Sequence, residues 1–234
     1  MTRDRQAHTD HFYRLLSDLS TRVGEPRRLR DCTARDGWPR QGVYFFFEDG
    51  EVRACGAPRV VRVGTHALTP VSRTTLWTRL AQHRGRLAGA KPGGGNHRGS
   101  IFRRHVGAAL IRRGGWPEDL LAAWLDRGRP PEWTHLEDQV EREVSRHIGA
   151  MPFLWLAVPD GLDGGNSRAF LECNSIALLS KRTGGVDSPT MGWLGHHAIS
   201  LKVRQSGLWN VNHVDEHYDP ATLATLATLV ERTQ

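Results

Sequence analysis

The run Gly42-Val43-Tyr44-Phe45-Phe46-Phe47 constrains the fold more than any other stretch of the chain. Its apolar side chains follow one another without a polar alternate, as in a strand covered on both faces. Glu48-Asp49-Gly50 then reads as a turn, with Glu51–Ala54 expected to pair back as a hairpin. A second apolar run, Arg59-Val60-Val61-Arg62-Val63-Gly64, places the next strand at Val60–Val63. Pro58 confines the residues just before that strand to an edge or a loop. A tyrosine at the start of one strand and an arginine on the helix that follows can converge on a single phosphate.

Helical spacing accounts for much of the remainder. Phe12, Leu15, Leu16 and Leu19 predict a helix near 8–20. Leu76, Trp77 and Leu80 predict a short helix over 74–84, in which Arg79 and His83 share a face. Trp133, Leu136, Val140, Val144 and Ile148 mark the clearest helix, from Pro131 to Ile148. Met151–Val158 has the length of a strand. Residues 167–181 read as a helix with Asn166 as its N-cap. Beyond Gly184 the pattern weakens, and Trp193, Trp209 and the leucine-rich segment 222–230 suggest a C-terminal lobe ending in a helix.

Charge and cysteine content narrow the class. The net charge is +7 with a pI near 10.0 over 234 residues, an excess that suits an anionic partner such as nucleic acid. Lys91, Lys181 and Lys202 are the only lysines, so the positive charge is nearly all arginine, whose fork matches phosphate oxygens. Cys32, Cys55 and Cys173 share no metal-binding or disulfide spacing and fit a reducing compartment. The N-terminal residues carry no apolar signal core, and no apolar run approaches a membrane span. A cytoplasmic protein with no membrane partner is the expectation.

The order of motifs is more specific than any one of them. Gly42-Val43-Tyr44, then Val63-Gly64-Thr65-His66-Ala67-Leu68, then Trp77-Thr78-Arg79-Leu80 resembles the GIY-YIG nuclease family. Phe170-Leu171-Glu172-Cys173-Asn174-Ser175-Ile176 resembles that family's metal-binding helix. The resemblance covers roughly residues 41–181. It implies a mixed α/β (α+β) module, a small central sheet flanked by helices, that hydrolyses phosphodiester bonds with one divalent metal. Carried over by position, Tyr44 would be the general base, Arg79 the phosphate clamp and Glu172 the ligand of Mg²⁺ or Mn²⁺. An ordinary tyrosine has a pKa of about 10, so such a base needs cations beside it. The expected organisation is an N-terminal helix and loop extension (1–40), the nuclease core (41–182) and a C-terminal helical extension (183–234).

The chain departs from the family at two places. The second-motif tyrosine is absent: Arg62 stands there if the motif is aligned to Arg62-Val63-Gly64, whereas Ala54-Cys55-Gly56 keeps the usual shorter spacing. Arg62 beside Tyr44 would favour the phenolate, and His66 would assist the hydroxyl or the leaving group. The family's late asparagine has no clear counterpart, Asn174 lying too close to Glu172 and Asn210 being remote.

A basic helix over 97–113 offers a further surface. His97, Arg98, Arg103, Arg104, Arg112 and Arg113, with His105, would track phosphates, and Gly93-Gly94-Gly95 ahead of them would let nucleic acid approach the backbone. His213-Val214-Asp215-Glu216-His217 matches an inverted zinc-peptidase motif, but binds zinc only on a helix, which the surrounding Asn, Asp and Pro oppose. The sequence therefore reads as a metal-dependent endonuclease acting on DNA, duplex or single-stranded. The alternative is a non-catalytic nucleic-acid binder that keeps the fold. A duplex cutter needs two nicks, which a homodimer would supply.

Overall fold

The computed structural model describes residues 2–68, 72–87, 94–128, 131–159 and 167–233. The loop at Asp160–Gly165, the Asn166 cap and the break at Lys91–Gly93 lie outside them. The described elements are α1 (Thr2–Val23), β1 (Arg27–Arg28), β2 (Gly42–Val52), β3 (Pro58–Gly64), α2 (Leu76–Arg84), α3 (Ile101–Arg113), α4 (Glu118–Leu125), α5 (Thr134–Ala150), β4 (Pro152–Ala157), α6 (Ser167–Leu179), α7 (Leu201–Ser206) and α8 (Ala221–Arg232). The four strands form an antiparallel sheet in the order β1-β4-β2-β3. This is the mixed α/β architecture expected from the sequence.

β2 is the central strand, and both of its faces are buried. Tyr44 and Phe46 point into one apolar core with α2, α3, α4 and α5. Val43, Phe45 and Phe47 point into the other, against α1, α6 and α8. Period-two alternation sends successive residues to opposite sides, so an uninterrupted apolar run supplies both cores. The expected hairpin turn at 48–50 is not one. Glu48, Asp49 and Gly50 continue β2, and the chain reverses at Arg53–Ala57, where Arg53 N donates to Ala57 O at 2.8 Å. The carboxylates stay in the strand because each has a partner. Glu51 pairs with Arg59 across the hairpin, and Glu48 accepts from the Trp193 and Trp209 indoles at 3.1 Å each. Burial would raise the Glu48 carboxyl, but the His147 pairing and these indoles hold it below its usual value.

The terminal segments share these cores. Phe12, Leu16 and Leu19 of α1 are essentially unexposed, as are Trp193, Trp209 and Val214 beyond Gly184. Trp209 and Asn210 also run along β3, the sheet's free edge. Trp209 N donates to Val61 O at 2.7 Å. The Asn210 amide accepts from Val63 N at 3.1 Å and donates to Val63 O at 2.8 Å. An open edge invites pairing with another chain, and here a side-chain amide and one backbone bond cover it. Trp193 and Trp209 therefore belong to the core of the sheet rather than to a separate lobe.

The basic stretch 97–113 corrects its sequence reading in part. Arg103 is fully buried. Its guanidinium pairs with Glu141 of α5 and donates to His83 O at 2.8 Å and Ser145 Oγ at 2.9 Å. His97 is buried as well, stacked on Trp124 at 3.6 Å and joined to Glu141 at 2.8 Å. Arg98 forks onto Glu137 at 2.7 and 3.0 Å. Arg104 donates to Leu125 O, while Arg112 and Arg113 are exposed. His97 and Arg103 are thus core residues, because Glu141, one helix away, neutralises a charge the apolar interior would otherwise reject. Gly94 and Gly95 have the same cause. A Cβ on either would strike Glu141 or the Arg103 guanidinium.

Removing one partner of a buried pair strands the other. Arg103→Met should therefore lower unfolding stability by about 3–5 kcal/mol in urea melts. Near wild-type stability would contradict the buried pairing.

Candidate active site

Tyr44 lies directly across from Gly64 in the β2–β3 ladder and from Trp155 of β4. Its ring extends over Gly64, where a Cβ would strike the hydroxyl oxygen and come within 2.5 Å of the ring carbon that bears it. A glycine at this point is a packing requirement. Of the two sequence alignments, Arg62-Val63-Gly64 sits beside Tyr44, whereas Ala54-Cys55-Gly56 forms the hairpin turn with Cys55 exposed.

The Tyr44 hydroxyl hydrogen-bonds His83 Nε2 at 2.9 Å, and His83 Nδ1 reaches Ser100 Oγ at 3.0 Å. All three residues are buried. Ser100 also caps α3, accepting from Arg103 N at 3.4 Å. Burial, then the charges of Arg79, Arg62 and Arg103, hold the His83 imidazole well below its usual pKa, so it is neutral near pH 7. The sequence marked His83 only by its four-residue spacing from Arg79. Its bond to Tyr44 and the Ser100 link depend on how α2 and α3 pack against the sheet.

Arg62 pairs with Phe46 across the ladder and so faces the same side as Tyr44. Its guanidinium lies 4.6 Å from the centre of the Phe102 ring, and Nη1 donates to Trp209 O at 2.9 Å. Burial lowers the Arg62 pKa, while Tyr44 and Glu172 raise it again. Arg62 thus lies within electrostatic reach of both the tyrosine and the carboxylate.

Glu172 projects from α6. Its Oε1 accepts from Thr65 N, just past Gly64, at 3.2 Å. Burial raises the carboxyl pKa, and Arg62, His213, the Thr65 amide and Arg79 oppose that rise. Arg168, one turn earlier, donates to His66 O at 3.0 Å and Ala67 O at 3.3 Å, fixing the β3 exit against α6. His66 Nε2 contacts Arg40 O at 3.2 Å. Arg79 is half-buried on α2 and bonds Gln82 Oε1 at 2.7 Å. Its charge acts on Arg62, His83 and Glu172 alike.

The two asparagines weighed in the sequence have other partners. Asn210 binds the β3 backbone, and Asn174 accepts from Asp219 N at 2.6 Å. Together they pin both ends of the loop that carries His213. His213 has a positive φ of 63°, a strained setting for a non-glycine residue, and Nδ1 lies 2.9 Å from Glu216. No helix forms over 211–219, so the inverted zinc motif lacks the geometry it needs.

No group of three His, Cys, Asp or Glu side chains among the described residues could hold a metal. The donor set among the described residues is one half-buried carboxylate, Glu172, of which one oxygen accepts from Thr65 N. A hydrated hard cation that takes most of its ligands from water and substrate phosphate fits that set. A zinc or thiolate site does not.

A family model described as a GIY-YIG domain matches residues 3–234. The chain belongs to that family, and the match includes the terminal segments as well as the sheet. The family points to a nuclease-type protein. No curated protein and no solved structure gives a significant match. No described helix is long and apolar enough to cross a membrane.

Two histidines, the buried His83 and the half-buried His105, set a pH signature. His83 is held well below 6.5, and His105 is lowered to about 4 by burial and then by Arg62 and Arg104. Between pH 6.5 and 4 the unfolded chain binds protons that these folded imidazoles refuse, so stability falls as pH drops through that window. His105→Asn should flatten the fall between pH 6.5 and 5 in urea midpoints. An unchanged slope would show that His105 does not contribute.

Proposed function

We propose that the chain is a metal-dependent endonuclease that hydrolyses phosphodiester bonds in DNA. The observation that carries this reading is the meeting of Tyr44, His83, Arg62, Arg79 and Glu172 around the junction of β2, β3, α2 and α6. Tyr44 would take the proton of the attacking water. With Nδ1 protonated and donating to Ser100, His83 Nε2 accepts from the Tyr44 hydroxyl and orients it until that proton is lost to solvent and the phenolate acts as the base. Arg62 offsets the negative charge that develops on the phenol oxygen as the proton leaves. Arg79, the more exposed of the two arginines, would donate to the non-bridging phosphate oxygens, which gain charge in the transition state. Glu172 would hold Mg²⁺ or Mn²⁺, which supplies Lewis-acid activation of the phosphate and stabilises the leaving oxygen. His66 lies next to the Thr65 amide that positions Glu172, with its ring on the Arg40 carbonyl rather than on Tyr44, and would assist the leaving group. The exposed Arg112 and Arg113 are available to phosphates along the substrate. By resemblance, the products would carry 5′-phosphate and 3′-hydroxyl ends.

One observation favours the non-catalytic alternative. Tyr44 is fully enclosed in this structure, and its hydroxyl is committed to His83. Cleavage needs this cover to open as substrate binds, whereas simple binding does not. Nothing in the fold supports the homodimer expected for a duplex cutter.

Cleavage of supercoiled plasmid and single-stranded DNA, with Mg²⁺ or with EDTA, separates the two readings. Tyr44→Phe should reduce cleavage by at least about 10²-fold while leaving DNA binding intact. Arg79→Ala should cost roughly 10²–10³-fold. Glu172→Gln should abolish metal-dependent turnover and raise the melting temperature, because it removes a partly desolvated charge and keeps an acceptor for Thr65 N. Wild-type protein that binds DNA but never cuts it would favour the non-catalytic binder.

A further inference from the structure

Beside the candidate active site, a cleft of about 590 Å³ opens between the C-terminal end of α2 and the segment 94–96. Trp77, Gln82, Arg84, Arg86 and Asn96 line it. Arg84, Gly85 and Arg86 also line an adjoining cleft of about 380 Å³, which Arg30 closes on its far side. We propose that the first cleft binds an unstacked nucleobase and that the arginine-lined cleft takes the phosphates next to it. The nuclease would then act on nucleic acid with unpaired bases. This inference rests on the nuclease reading above and names its substrate class.

The aromatic floor is built outward from the core. Phe153, fully buried in β4, lies under Trp38, with ring centres 5.9 Å apart and planes 20° apart. Trp38 stacks in turn on Trp77, at 5.3 Å and 14°. The Arg84 guanidinium lies 5.2 Å from the Trp77 ring centre and is anchored by the Cys32 carbonyl. Each ring is held by the one beneath it, and the guanidinium lying over the half-buried Trp77 adds a cationic layer to this π stack. Single-stranded bases stack on such aromatic rings and guanidinium planes, and a duplex keeps its bases stacked on each other.

The polar rim matches the same ligand. The Gln82 and Asn96 amide nitrogens both lie about 3.5 Å from the Cβ position of Gly99, so donors of two residues that line the cleft come close together. Asn96 Oδ1 is used by Arg98 N, and Gln82 Oε1 by Arg79. Each amide nitrogen thus has no partner among the described residues and would be available to a base edge. Arg86 is exposed, and its guanidinium has no partner among the described residues. The Gln82–Arg79 bond connects the cleft to the arginine assigned to the scissile phosphate. A base seated against Gln82 would hold the neighbouring phosphodiester near Arg79.

The test uses the full chain in EDTA with a 12-nucleotide single strand carrying one 2-aminopurine, whose emission falls when it stacks. Binding should quench the single strand and leave a blunt duplex of the same sequence unchanged. Trp77→Ala should weaken single-strand binding roughly tenfold and abolish quenching. Arg86→Ala, at an exposed site that does not threaten folding, should weaken binding and lower the salt slope by about one. An RNA strand run in parallel separates the two sugar sources of the same base chemistry. Full quenching in folded Trp77→Ala, unchanged affinity and salt slope in Arg86→Ala, or equal quenching by the duplex would overturn the proposal. Glu172-dependent cleavage without any quenching would leave the nuclease standing and remove the base cleft. Quenching by a wild type that never cuts would remove the nuclease and keep the cleft.

Discussion

The Tyr44 side chain crosses β3 at the one position, Gly64, that has no Cβ to block it. The rest of the site depends on that close approach. It brings the hydroxyl to His83 at the inner face of α2, and it requires the next residue, Thr65, to leave the sheet where its amide can meet Glu172. A larger residue at 64 would push the ring away and break both relations. The tyrosine and the glycine of the two motifs are therefore one structural unit, held as a cross-strand pair.

Charge is distributed around that unit in a consistent way. Arg62 is buried within reach of Tyr44 and Glu172, Arg79 lies half-buried midway along α2, and Arg103 donates to His83 O with its own carboxylate beside it. Burial and then the arginines keep His83 neutral, and Arg62 and Arg79 offset the desolvation of Glu172. A neutral imidazole can accept a hydrogen bond from a phenol, and an imidazolium cannot. Arg103 adds to this field without touching substrate, because Glu141, His83 O and Ser145 already take its donors.

Much of the fold was legible because the chain's periodicities are strong. The apolar run at 42–47 specified a strand with two covered faces, and the stripes at 12–19, 76–80 and 136–148 specified helices that appear within a few residues of those positions. The turn at 48–50 was misread because Glu, Asp and Gly look like a turn when their partners are unknown. Arg28, His147 and two indoles supply those partners from other segments. The same reason accounts for His97 and Arg103, which look like surface cations until Glu141 is placed beside them. The role of Asn210 was equally hidden, since its partner is a backbone 147 residues earlier.

The sequence by itself determined the chemistry available: a tyrosine and a glycine on neighbouring strands, arginines on the next strand and helix, and one carboxylate on a later helix, in the order of the GIY-YIG family. Those features are local, and local order survives in a linear string. Only the tertiary structure decided which groups meet. It chose Gly64 over Gly56 as the glycine beneath Tyr44, made His83 the tyrosine's partner, turned two expected surface cations inward, and built a π surface from Phe153, Trp38 and Trp77, which lie far apart in the chain. Each of these is a contact between segments that only packing brings together, and burial then fixes which charges can remain.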